Sequence, residues 1–146
     1  MRATKPLDKG KWAEGQAHKW LEARSLSEAR FAFHRYPDAR SAQGALSAQP
    51  ADFLVGYRGR ATHLEVKETA QEHSLPKDKI RQYPKLKLFD WAGFRTFVLI
   101  FRSACNDWVY LDRDDLFAHD VVPKSFSLRG KTSYPDEGAA LREIFK

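Results

Sequence analysis

Five consecutive apolar residues, Phe97-Val98-Leu99-Ile100-Phe101, leave a strand with no polar face to turn toward water. A strand exposed on one side alternates apolar and polar residues; an unbroken run marks a strand covered on both sides. The stretch Arg95–Phe101 therefore reads as the central strand of a sheet with helices over both faces. The rest of the chain supplies the parts. From Gly10 to Arg24, Ala13, Ala17, Trp20 and Leu21 recur at three- and four-residue steps, which predicts a helix, with Asp8 a candidate N-cap. Phe31–Tyr36 alternates large apolar with polar residues and reads as a strand closed by Pro37-Asp38. Residues 38–49 read as a flexible loop. Trp108–Leu111 is another strand, joined to the central one through Ala104-Cys105-Asn106-Asp107.

Helix punctuation is also readable. Pro84 suits a first turn, so the main helix starts near Arg81–Tyr83, and Gly93 is placed to end it. On that helix Gln82, Leu86 and Phe89 share a face, and Leu88, Trp91 and Ala92 are expected to widen its apolar side. Asp112 with Asp115 three residues on resembles a capping box for a short helix. A last helix is expected over Glu137–Lys146. Helix, three strands, helix, two strands and further helical pieces make an α/β (α+β) fold, a mixed central sheet flanked by helices. At 146 residues this is one domain, 1–146, with residues 1–9 frayed and 121–146 an extension whose structure is hard to read.

Chemistry concentrates between the first helix and the main one. Asp52 closes Pro50-Ala51-Asp52; thirteen residues later comes Glu65-Val66-Lys67, and between them lies the turn Gly56-Tyr57-Arg58-Gly59-Arg60. This is a β-hairpin pattern, with strands near Ala51–Gly56 and Ala61–Glu68. Side chains alternate along a strand, so His63, Glu65 and Lys67 share one face, and Leu64 and Val66 point into the core. Two carboxylates and an ammonium at neighbouring strand ends suit a divalent cation and a phosphate. Asp52 and Glu65 supply hard oxygen ligands, the Val66 carbonyl is a third, and Lys67 stands beside the phosphate. By the motif alone, a surface salt bridge between Glu65 and Lys67 beside an unrelated Asp52 is the commoner arrangement. Likewise Glu14, in the first helix, reads as a solvated glutamate, and His63 as a partly buried histidine without a function.

Charge narrows the partner. The formal net charge is +6, with a pI near 9.5, which favours a polyanion, most often nucleic acid. Lys77, Lys79, Arg81 and Lys85 crowd the start of the main helix, suited to a phosphate backbone and equally to an ordinary solvated face. Cys105, the single cysteine, excludes an internal disulfide and a cysteine-rich zinc site. No apolar run approaches the ~20 residues of a membrane span. No apolar segment follows Met1-Arg2-Ala3-Thr4-Lys5, so a cytoplasmic, membrane-free protein is expected. The tryptophans read as core or interface residues rather than stacking platforms for bases.

The combination resembles a known superfamily. A first helix bearing a glutamate, an acidic residue at one strand and Glu-x-Lys on the next looks like the PD-(D/E)XK nucleases. More narrowly it is similar to RecU-type Holliday junction resolvases, through Arg35-Tyr36-Pro37-Asp38-Ala39-Arg40-Ser41-Ala42, the span Asp52 to Glu65-Val66-Lys67-Glu68-Thr69, Ser74-Leu75-Pro76, Gln82 before Gly93, Phe101-Arg102 and Tyr110-Leu111-Asp112. The resemblance covers roughly residues 10–118. It implies a restriction-endonuclease-like core and a homodimeric, magnesium-dependent endonuclease, with Mn²⁺ able to substitute, that cuts four-way DNA junctions in recombination, repair or phage DNA processing. It makes Asp52 and Glu65 metal ligands and Lys67 the catalytic lysine. Gln82 becomes a residue that positions water or phosphate, and Glu14 a partner of the metal through water. Arg40, Arg58, Arg60, Lys77, Lys79, Arg81 and Lys85 become the DNA contacts. The loop at 38–49 is short for the projecting stalk of RecU proteins, and Gln49-Pro50-Ala51 replaces a threonine-rich approach to the aspartate. A nickase, a restriction- or repair-type nuclease of the same superfamily, or a DNA-binding protein without catalysis are the other readings.

Overall fold

The computed structural model describes residues 9–37 and 49–146, so the Asp8 cap and Arg40 lie outside the described residues. A five-stranded sheet is its frame. In spatial order the strands are β1 (Phe31–Arg35), β2 (Phe53–Tyr57), β3 (Arg60–Thr69), β5 (Arg95–Arg102) and β6 (Asp107–Leu111). β1, β2 and β3 form an antiparallel meander; β3 and β5 run parallel, and β6 returns antiparallel to β5. The parallel step needs a crossover, which passes through β4 (Ser74–Pro76), a 3₁₀ turn at Lys77–Lys79 and helix α2 (Tyr83–Trp91).

Both faces of the sheet are covered. On one, Leu64, Val66, Phe97 and Leu99 pack with Ala13, Ala17 and Leu21 of α1 (Lys9–Ser27) and with Leu141 and Ile144 of α4 (Glu137–Ile144). On the other, Val98 and Ile100 meet Leu86 of α2 and Leu116 of α3 (Arg113–Phe117), together with Phe126 of β7 (Ser125–Ser127). The middle strand is β3, and β5 lies one place in from the edge strand β6; its apolar run at 97–101 is nonetheless covered on both faces, as its lack of alternation requires. The C-terminal stretch is part of the structure: Phe126 and Leu128 belong to one core, and α4 and Phe145 to the other.

Local signals hold. Asp112 caps α3 in a reciprocal box, its side chain accepting from the Asp115 N–H while Asp115 accepts from the Asp112 N–H, both at 3.0 Å. Gly93, at φ 104°, ends α2 in a conformation that favours glycine. The β2–β3 connection is tighter than the five-residue turn expected. Tyr57 pairs directly with Arg60, leaving only Arg58 and Gly59 in the loop at φ 52° and 73°, a type I′ arrangement. Arg58 holds a left-handed conformation that costs a non-glycine residue about 1–2 kcal/mol.

Two expectations are corrected. Leu88, Trp91 and Ala92 do not widen a buried face of α2: Leu88 is 64% and Trp91 76% exposed, and Ala92 is exposed. The buried stripe is Tyr83, Leu86 and Asp90. Leu88 and Trp91 stand roughly 200° and 140° round the helix from Leu86. Asp90 takes the inward position because its carboxylate receives both Arg113 Nε and Nη2, at 2.9 and 3.0 Å. Second, Asp52 precedes β2 instead of lying within a strand from Ala51, because its side chain is engaged elsewhere.

Candidate active site

At the start of β2 the hairpin opens. The last registered pair is Phe53 with Leu64, and beyond it Asp52 turns its carboxylate across the gap to accept the Val66 N–H at 2.8 Å. The Asp52 carbonyl accepts instead from the Tyr36 N–H at 2.9 Å, on the β1 side. Asp52 therefore replaces the missing rung of the ladder with its side chain. N–H and C=O of one strand residue point to the same side, so the Val66 carbonyl faces the same opening.

Glu65 sits beside this gap on the face shared with Val98, and only 4% of it is exposed. Burial pushes its carboxyl well above the usual range. The charge of Asp52 and a hydrogen bond to it push further, Lys67 pulls back, and Glu14 adds a smaller upward push. Lys67 Nζ lies 3.9 Å from Glu65 Oε1. A buried glutamate with another carboxylate beside it is electrostatically unfavourable, and one lysine does not fully offset it.

Glu14 reaches the same neighbourhood from α1. Its carboxyl is raised first by burial and then by the charge of Asp52, and is lowered by Arg35 and Lys67. Arg35 Nε and Nη2 donate to Glu14 Oε1 at 3.2 and 3.0 Å, while Arg35 Nη1 lies 3.4 Å from His18 Nδ1. The solvated glutamate expected from the motif is instead half-buried and held in place. Arg35, on β1, is a residue that sequence reasoning did not connect to this cluster.

The other expected residues are placed as follows. Gln82 is the N-cap residue of α2 and half-buried; among the described residues no hydrogen bond joins its amide to Asp52, Glu65 or Lys67. Lys79 Nζ donates to the Glu68 carbonyl at 2.9 Å, which brings the basic turn against the end of β3, one residue from Lys67. Lys77 lies 5.5 Å over the Tyr83 ring, Arg81 is exposed, and Lys85 is half-buried. Arg58 and Arg60 are not part of this cluster; they stand at the opposite end of the hairpin. His63, expected to be structural, is fully buried. It stacks on Phe94 at 5.0 Å, and its Nε2 lies 2.9 Å from the Tyr36 hydroxyl.

Among solved structures, the chain is similar to the Holliday junction resolvase Hjc of the archaeal hyperthermophile Archaeoglobus fulgidus. The two share 19% sequence identity, with a TM-score of 0.52, over 90% of this chain and 98% of that one. The fold is restriction-endonuclease-like. No protein-family model and no curated sequence matches the chain. The likeness is one of fold, carried by the mixed five-stranded sheet and its helices. Among the described residues, no helix is long and apolar enough to cross a membrane.

Proposed function

We propose that this protein is a magnesium-dependent DNA endonuclease of the PD-(D/E)XK kind, and that its substrate is the four-way junction. One observation carries the reading. Asp52 and Glu65 are brought together at the parted end of the hairpin, with Glu65 buried, raised well above its usual range and 3.9 Å from Lys67. A carboxylate pair that competes for one proton is relieved by a cation in its place. The donors are hard oxygens, Asp52, Glu65 and the Val66 carbonyl, which suits Mg²⁺ or Mn²⁺. Among the described residues no group of three His, Cys, Asp or Glu side chains is arranged to ligate. Such a cation takes one or two carboxylates and completes its sphere with water and substrate oxygens.

When bound, the cation supplies Lewis-acid polarisation at the scissile phosphate. The chain supplies the rest. Lys67 hydrogen-bonds the attacking water and offsets the negative charge that grows on the phosphate during in-line displacement. Glu14, fixed by Arg35, orders water at the edge of the cluster, and Gln82 orients water or phosphate from the head of α2. Lys77, Lys79, Arg81 and Lys85 hold the backbone beside the cut, with Arg40 a further contact. The products are a 5′-phosphate and a 3′-hydroxyl. Two copies facing each other across a two-fold axis give paired cuts, the RecU-type outcome.

The experiment compares cleavage of a mobile four-way junction with that of a linear duplex of the same sequence. It is run with Mg²⁺, with EDTA and with the Lys67→Ala variant. Symmetric, metal-dependent cuts on the junction that Lys67→Ala abolishes while still binding DNA support the resolvase. Equal cutting of both substrates moves the function to a nuclease of different specificity. Cleavage that survives Lys67→Ala in a folded protein removes the site assignment.

A further inference from the structure

At the far end of the hairpin from the carboxylates, a cavity of about 210 Å³ is lined by Tyr57, Arg58, Arg60, Arg95 and Lys146. Four of these five residues are cationic. They come from three separate parts of the chain: the β2–β3 turn, the first residue of β5 and the last residue of the sequence. Glu143 pairs with Lys146, and Glu28 accepts from the Tyr57 hydroxyl at 3.3 Å. Among the described residues no carboxylate pairs with Arg58, Arg60 or Arg95.

Arg95 and Arg58 are held by contacts of their own. Arg95 Nη2 donates to the Ile144 carbonyl at 3.3 Å, and its guanidinium lies 4.9 Å from the centre of the Phe97 ring. Arg58 lies 4.9 Å from the Tyr57 ring centre. Burial, and then the charge of Arg60, lowers the Arg95 pKa, so the positive charges repel one another. Arg58 moreover fills a left-handed turn position where Asn, Asp or Gly is usual. An arginine adds nothing to such a turn as a turn former. What the position gains is a guanidinium at the cavity mouth.

We propose that this pocket is a phosphate-binding site separate from the carboxylate centre, and that the phosphate it takes is in the backbone of the bound duplex arm. Arg60 is five to seven residues from Glu65 and Lys67 along β3, roughly 20 Å at about 3.3 Å per residue. Along B-form DNA that is about six base pairs from the cut. The backbone assignment rests on the nuclease reading; the phosphate site does not.

Two measurements test this on the full chain. In the first, the arginine Nε–H NMR signals are followed as inorganic phosphate is added, against sodium chloride of matched ionic strength. The Arg60 and Arg95 signals are expected to shift saturably with phosphate alone, and Arg60→Gln to abolish the Arg95 response. In the second, affinity for a 20-base-pair duplex is measured against salt in EDTA. The double variant Arg58→Gln/Arg60→Gln is expected to bind more weakly, with a log–log salt slope reduced by about 0.9, one phosphate contact. Both substituted side chains are exposed, and a thermal melt checks the fold. A phosphate response with an unchanged slope keeps the site and overturns its assignment to the DNA backbone. A slope change alone supports the backbone contact. No response in either overturns the proposal. Should the protein bind no DNA, the nuclease reading fails, and the phosphate titration still decides the site.

Discussion

The carboxylate of Asp52 accepts the backbone N–H of Val66 at 2.8 Å, where β2 and β3 part. One side chain thus closes the ladder and, in the proposed function, also ligates a metal. Two substitutions separate these roles. Asp52→Asn keeps an oxygen for the Val66 N–H and loses the charge. It is expected to leave thermal stability close to wild type while cleavage falls by roughly 10²–10³-fold. Asp52→Ala leaves the N–H without its acceptor and is expected to lose cleavage and also about 1–3 kcal/mol of stability. Thermal unfolding and a cleavage assay on both variants check this; equal melting temperatures for the two would show that the hydrogen bond carries no structural weight.

Glu65 gives stability a pH dependence opposite to that of an ordinary salt-bridged carboxylate. Its folded pKa is raised well above 4.5, first by burial and then by Asp52. Above 4.5 the unfolded chain releases this proton while the native state keeps it, so stability falls as pH rises until the raised folded value is passed. Below 4.5 both states hold the proton and the penalty is absent. Glu65→Gln removes the ionisation. In EDTA its melting temperature is expected to exceed wild type at mildly alkaline pH, with the gap closing toward acid. Mg²⁺ should raise the wild-type melting temperature, more so at higher pH, and leave the variant unmoved.

What the sequence made legible was short-range. The capping box at Asp112 and Asp115, the glycine at Gly93, the uninterrupted 97–101 run and the alternation through Glu65 and Lys67 each depend on neighbours within a few residues. What stayed hidden depends on where distant segments dock. Leu88 and Trp91 are apolar and still face outward, because α2 turns Asp90 in to meet Arg113. The β4–β7 pair has three residues a side and about fifty residues between, too short a signal over too long a separation. Arg35 meets Glu14 from 21 residues away. The cationic pocket needs both Tyr57 and Lys146, which no local pattern joins.

His63 provides an acid-labile element of the core. Burial lowers its pKa from 6.5 to about 4. Between those values the unfolded chain takes up a proton that the native state refuses, so stability is full above pH 6.5 and is lost as pH falls toward 4. The shift corresponds to at most about 3 kcal/mol. His63→Phe keeps an aromatic ring against Phe89 and Phe94 and removes the ionisation. Chemical denaturation in EDTA, on a Glu65→Gln background that removes the largest opposing effect, is expected to show the histidine parent losing more stability than the Phe variant as pH falls from 6.5 toward 4. Parallel profiles would place the acid sensitivity elsewhere.

Arg58 is where stability and the proposed phosphate contact pull apart. At φ 52° an arginine is strained, and Asn or Gly is at ease in the same turn. Arg58→Asn relieves that strain and gives up the contact with the Tyr57 ring, a surface interaction worth about 0.5–1 kcal/mol. Since the left-handed conformation costs an arginine about 1–2 kcal/mol, the balance lies between about 0 and 1.5 kcal/mol in favour of the variant. In a chain of this size the middle of that range is an increase of about 2–3 °C in melting temperature. The same variant should bind duplex DNA less tightly at low salt, because one cation has left the pocket mouth. A melting temperature that rises while DNA affinity falls is the expected pair of results. A variant that gains stability at undiminished affinity would show that the charge at this turn has no part in binding.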